Sequence, residues 1–180
     1  MPADAHPVLD VAAIRVSDPN DRNESLTTHG RRVVIENKTV LIMMMFAYGV
    51  NSKQVVGGPE WMRSERFDVE GVPDVEGQPS TKQFQGMVEG LLRDRFGLKV
   101  HREKRELAVY AITVAKGGPK ITKSPGDPNA FPDESDHVSA GQRDMKFTNQ
   151  TMSNFAVIMQ LFLEKPVVDR TGLPNRWILS

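Results

Sequence analysis

Two kinds of apolar period run along the chain, and they alternate. Val8 to Val16 is rich in β-formers and closes on Ser17-Asp18-Pro19-Asn20-Asp21, which predicts a first strand and a turn. A polar stretch carrying His29 follows, and then Arg31 to Glu36 supplies a second strand through its β-branched residues. After Asn37-Lys38-Thr39 the period changes. Val40, Met43, Met44 and Ala47 fall at helical spacing, while Leu41, Ile42, Met45 and Phe46 make the other faces apolar too. The pattern predicts a helix over Val40–Tyr48 that is buried nearly all round, capped by Thr39 and stopped by Gly49.

Val55-Val56 reads as a short strand ending at Gly57-Gly58-Pro59, and Arg66 to Glu70 as a strand with Phe67 and Val69 on one face. Ser80 and Gln83 have capping-box spacing. Behind them Phe84, Met87, Val88, Leu91 and Leu92 mark an amphipathic helix that Gly97 ends. Leu98–Arg105 and Leu107–Ala115 are expected to pair as a hairpin, and residues 120–143, poor in apolar period, to form a long loop. Met145–Thr148 restarts a strand. Asn149-Gln150-Thr151 then leads into a helix whose Met152, Phe155, Ala156 and Met159 repeat the earlier stripe at a constant offset, 149 − 37 = 112. Pro166–Asp169 and Arg176–Leu179 complete the chain as strands, the last at a sheet edge. The expectation is one α+β domain over 8–180 with a loose tail at 1–7. It has a mixed, largely antiparallel sheet and three main helices, in two related β-α-β units joined by a helix-hairpin.

Composition narrows the function classes. The 23 Lys+Arg balance 23 Asp+Glu, so no global field draws in nucleic acid. There is no Cys, which removes disulfides, thiolate metal sites and thiol nucleophiles. The longest apolar run, Val40 to Ala47, falls far short of the ~20 residues a membrane helix needs. Residues 1–7 carry no basic and no apolar region of an export signal.

Candidate chemistry is sparse. His6, His29, His101 and His137 have no H-E-x-x-H or similar spacing, and neither a metal nor a cofactor is expected. Met43-Met44-Met45 could offer thioethers to Cu(I), but consecutive helical residues face different ways and suit core filling. No Gly-x-Ser-x-Gly or Ser-x-x-Lys nucleophile element occurs. If the protein is an enzyme, Asp68, His101 and Asp169 are the residues to test, because a sheet can bring paired carboxylates together for hydrolysis. As binding anchors, Trp61 beside Arg63, and Tyr48 at a helix end, stand out.

Arg31–Asn37, Phe46-Ala47-Tyr48-Gly49-Val50, Gly57-Gly58-Pro59-x-Trp61, Arg66-Phe67-Asp68, Leu91-Leu92-x-Asp94-Arg95-Phe96, His101-Arg102-Glu103, Lys116–Lys120 and Pro166-Val167-Val168-Asp169-x-Thr171-Gly172-Leu173 occur in that order. Together they resemble a soil-associated family of secreted bacterial proteins of unknown function. The resemblance implies an export signal in the native protein and a periplasmic or secreted location. Its partners would be another protein or an envelope or extracellular ligand. Relatives that carry this domain on a membrane metallopeptidase imply a sensor role as one possibility. More loosely, the strand, Asn-x-Thr, helix, strand unit is similar to the short protein-docking domains of secretins and TonB-dependent receptors. The leading expectation is a non-catalytic extracytoplasmic binding or interaction module, with a hydrolase of envelope polymers as the alternative.

Overall fold

The computed structural model describes residues 1–126, 132–139, 142–160 and 162–179. Backbone contacts divide it into two compact units, Met1–Glu106 and Leu107–Ser180, where the sequence pattern implies one domain. Helices and antiparallel sheets make the chain α+β, as expected.

In the first unit β1 (Leu9–Val16), β2 (Ser25–His29), β3 (Arg32–Thr39) and β4 (Arg66–Pro73) form an antiparallel sheet in the order β1-β4-β3-β2. Alternation along β3 buries Val33 and Ile35. The strand runs straight into α1 (Val40–Tyr48) with no residue between them. Thr39 Oγ1 accepts the Ile42 N–H at 3.2 Å, and Gly49 closes the helix in the left-handed conformation at φ +61°. No position of α1 is exposed, in keeping with its all-round apolar pattern. A short helix α2 (Trp61–Ser64) precedes β4.

The capping box forms at α3 (Thr81–Arg95), with Gln83 Oε1 accepting the Ser80 N–H at 2.9 Å. Phe84, Met87, Val88, Leu91 and Leu92 are buried, and Phe84 packs on Phe46 of α1 at 4.8 Å between ring centroids. Each such side chain contributes about 1.5–3 kcal/mol by leaving water. Gln83 does more than cap. Its Nε2 donates to the Pro2 and Ala5 carbonyls at 2.7 and 3.1 Å, so the expected loose tail at 1–7 is tied down.

In the second unit β6 (Thr122–Lys123), β7 (Asp133–Ser139), β8 (Gln142–Thr151) and β10 (Arg176–Leu179) form an antiparallel sheet in the order β6-β10-β8-β7. β8 runs directly into α4 (Met152–Met159), capped by Thr151. Apart, β5 (Tyr110–Ile112) and β9 (Val167–Asp169) pair in parallel. The core gathers Phe147, Met152 and Leu179, with Phe155 and Trp177 packed against it.

Three expectations are corrected here. Residues 98–115 do not make a hairpin: only Tyr110–Ile112 is a strand, and its partner is the distant β9. Arg102-Glu103-Lys104-Arg105 holds none of the Gly, Asn, Asp or Pro that a tight turn needs. The long loop at 120–143 contains β6, β7 and the start of β8, while residues 127–131 and 140–141 lie outside the described residues. Its charged sequence suits an edge strand such as β7, which needs backbone pairing more than apolar alternation. Finally, Arg176–Leu179 is no edge, since β6 covers its free side.

The same junction occurs in both units. Asn37 and Asn149 are the non-glycine residues with positive φ among the described residues, at +55° and +60°. Arg66 Nη1 donates to the Asn37 carbonyl and Arg176 Nη1 to the Asn149 carbonyl, each at 2.7 Å. Lys38 lies opposite Phe67 and Thr39 opposite Arg66; Gln150 lies opposite Trp177 and Thr151 opposite Arg176. Positions before the helix match at 151 − 39 = 112, and those on the returning strand at 176 − 66 = 110. The Ser17 and Ser124 N–H groups bond the Arg66 and Arg176 carbonyls, both at 2.9 Å.

Candidate functional site

Asp68 is a structural hub in the first unit. Its carboxylate accepts from Ser17 Oγ at 2.7 Å, the Asn37 N–H at 2.9 Å and Arg15 Nε at 3.0 Å, tying β1, the Asn37 bend and β4 together. Burial pushes its pKa up, but those three donors outweigh it and hold the carboxyl below its ordinary value. Glu24 has a similar part. It takes Lys38 Nζ at 2.9 Å and Arg66 Nη1 at 2.6 Å, and the two cations overcome the effect of burial to lower its pKa.

The other residues expected of an enzyme are also committed or exposed. In the second unit Asp169 accepts from the Thr171 N–H at 2.9 Å, Thr171 Oγ1 at 2.7 Å and Ser153 Oγ at 3.1 Å, an Asx turn fastened to α4. Burial raises its pKa and the Thr171 and Ser153 donors lower it further than that, so it too sits below its ordinary value. His101 is exposed on a segment without helix or strand, and neighbouring Glu103 pairs with Arg105. Among the described residues no three His, Asp or Glu side chains converge as a metal site would require. Met43, Met44 and Met45 are all buried, as core fillers are.

One of the binding anchors, Arg63, reaches the Val55–Val56 stretch. Lys53-Gln54-Val55-Val56 matches Lys165-Pro166-Val167-Val168 at the same offset of 112, with three of four residues identical. In the second unit this stretch enters β9 and is paired by β5: Tyr110 lies opposite Val167, and the Tyr110 N–H bonds the Pro166 carbonyl at 2.8 Å. In the first unit no strand lies against Val55–Val56 among the described residues, and Val56 is 64% exposed. The 3-10 turn Ser52–Gln54, capped by Asn51, delivers the chain to this edge. Arg63 Nη2 donates to the Val55 carbonyl at 3.2 Å. Trp61, two residues before Arg63, begins a row of edge-on rings, Trp61–Phe67 at 6.3 Å and Phe67–Phe96 at 5.1 Å.

Gly57 and Gly58 turn the chain from that edge into α2 at φ +83° and +82°. A Cβ on Gly58 would lie 2.3 Å from Met62 Sδ, so the turn also needs the missing side chain. Tyr48 has a different setting. Burial raises its pKa and Glu89 adds to that, against the opposing charges of Arg102 and Arg93. The short strand expected at Val55–Val56 is not formed: the stretch is neither helix nor strand, since no described strand supplies the backbone bonds it would need, and the Lys-x-Val-Val match to β9 was the signal that could have singled it out.

A family profile described as a protein of unknown function, DUF3738, matches residues 41–179 of the 180. The chain belongs to that family. The match in this DUF3738 protein opens inside α1 and closes on β10, so it takes in Val55–Val56 and both Arg66 and Arg176. No curated protein and no solved structure matches the chain. No described helix is long and apolar enough to cross a membrane.

Proposed function

We propose that this DUF3738 chain is an internal repeat, two copies of one module, and that the first copy works as a non-catalytic protein-interaction module. Its ligand is an extended segment of a partner protein, laid beside Val55–Val56 as β5 lies beside β9. The observation that carries this is the unequal use of one matched element. The second unit fills its Lys-x-Val-Val edge from its own chain, and the first presents the same edge with Val56 in solvent. Arg63 fixes the edge carbonyl from one side, and Trp61 offers an aromatic surface close in sequence. An extracytoplasmic location, which the family resemblance supports, would make that partner an envelope or secreted protein. Fractionating the native host and probing for the protein would test the location.

The alternative of hydrolysis has less to draw on. Asp68 and Asp169 each spend a carboxylate on three internal donors. The direct test of docking uses a peptide with the sequence of residues 107–115, which contains β5, the strand that fills the matched edge. Added to the labelled protein, it should shift the backbone amide signals of Val55 to Gly58, and Val56→Asp should abolish the shift. Shifts confined to other residues, or none at millimolar peptide, would overturn the proposal.

A further inference from the structure

In the second unit, the strand that fills the matched edge brings a ring with it. Tyr110 of β5 lies opposite Val167, and the Lys165 ammonium sits 5.3 Å from the centroid of the Tyr110 ring. That is within the ~6 Å over which a cation is drawn to an aromatic face. The offset of the repeat assigns both residues a counterpart in the first unit, since 165 − 53 = 112 and 167 − 55 = 112. Lys53 stands where Lys165 does, just before the edge. It is exposed, and its ammonium meets no carboxylate or ring among the described residues.

The backbone of the two edges divides in the same way. Along a strand, alternate residues turn their N–H and C=O groups to the same neighbour. In the second unit the groups turned to β5 include the Pro166 carbonyl, which accepts the Tyr110 N–H at 2.8 Å, and the Arg170 N–H, which donates to the Ile112 carbonyl at 2.9 Å. Val167 faces the other way, its N–H donating to Gln160 Oε1 at 3.4 Å. In the first unit Val55 also faces inward: its N–H donates to the Ser52 carbonyl at 3.2 Å and its carbonyl accepts from Arg63. The Gln54 carbonyl and both backbone groups of Val56 bond nothing among the described residues. These are the groups that a parallel strand beside Val55 would use. We infer that the segment docked at Val55–Val56 carries an aromatic residue opposite Val55, and that Lys53 selects it by setting its ammonium over the ring. The selection rests on the docking role proposed for this edge and adds which sequence the edge prefers. The N–H of the aromatic residue donates to the Gln54 carbonyl, its carbonyl accepts the Val56 N–H, and the N–H two residues on donates to the Val56 carbonyl.

The test compares two peptides on the labelled whole chain, residues 107–115 and the same peptide with Tyr110→Leu. Followed by the amide shifts of Val55 to Gly58, the unaltered peptide should bind about two- to fivefold more tightly, the worth of an exposed cation–π contact. Lys53→Met keeps an unbranched side chain without the charge and should erase that preference, whereas Lys53→Arg should keep it. The Lys53 Cε protons should also move upfield in the ring current of the bound tyrosine and stay in place with the Tyr110→Leu peptide. Lys53 is exposed, and unchanged melting of the variants would confirm that the fold is intact. No shift at Val55 to Gly58 with either peptide would overturn the docking role and the ring selection together. Equal binding of the two peptides there, or a preference that survives Lys53→Met, would overturn the ring selection alone and leave docking standing.

Discussion

The bends at Asn37 and Asn149 have one backbone plan and two different fillings. In each, an arginine from the returning strand holds the carbonyl of a left-handed asparagine, and a threonine two residues on caps the helix. Around Asn37 the remaining space is ionic, with Asp68 and Glu24 drawing in Arg15, Lys38 and Arg66. At the positions matched to Asp68 and Glu24 the second unit has Ile178 and Pro132, so among the described residues no carboxylate pairs with Arg176 where it holds the Asn149 carbonyl. The backbone geometry is therefore what the junction requires, and the charges are one way of filling it.

That contrast can be broken most sharply at Asp68. Asp68→Ala deprives three donors of their acceptor and should cost about 2–3 kcal/mol, whereas Ile178→Ala loses only part of a half-buried side chain and should cost less. Chemical denaturation of both variants measures the difference, and equal costs would mean the ionic filling matters no more than the apolar one. The caps come next. Thr39→Ala and Thr151→Ala should each cost about 1 kcal/mol if the two junctions are equivalent, read from amide exchange at Ile42 and Asn154.

Acid should separate the two bends rather than the two units, since Asp169 gives the second unit a lowered carboxylate of its own. Asp68 and Glu24 have folded pKa values below their unfolded ones, so the stability they contribute is complete above the ordinary carboxylate range and is lost as pH falls through the lowered values. The protection of the Ile42 amide, its exchange taken relative to the intrinsic rate at each pH, should fall as pH drops through and below the ordinary carboxylate range, and Asp68→Asn should flatten that dependence. The Arg176 bond to the Asn149 carbonyl involves no carboxylate and has no such term. The bends themselves come last. Asn37→Gly keeps the left-handed backbone accessible but removes the Nδ2 donor to the Asp21 carbonyl at 2.9 Å, so it should cost about 0.5–1.5 kcal/mol, read from the melting midpoint.

Much of this was legible where structure is local. The α1 and α3 periods, Thr39 and the Ser80–Gln83 box all follow from spacing within a turn or two of helix. What escaped depends on distant partners. Nothing near Tyr110 announces that it will pair with Val167 in parallel, and nothing in the charged run of β7 announces a strand except β8 beside it. The candidate site was legible in part for the same reason. Trp61 and Arg63 could be singled out from sequence, but that Arg63 holds the carbonyl of an open edge could not. Asp68 stood out as a carboxylate, and only the fold reveals that its oxygens are occupied. Glu24 gave no signal at all, because its partners are 14 and 42 residues away.

The seamless passage from β3 into α1, and from β8 into α4, bears on how such a chain can change over generations. An inserted residue at either seam would rotate the helix by about 100° against its sheet and flip the apolar stripe out of place. Length can drift only where the chain is free to bulge. From Thr39 to Arg66 is 66 − 39 = 27 positions and from Thr151 to Arg176 is 176 − 151 = 25, although the seams themselves align residue for residue. The tolerant stretches lie between each helix and its returning strand, and the open Val55–Val56 edge is in one of them. Variation can therefore accumulate there without disturbing the parts that fold.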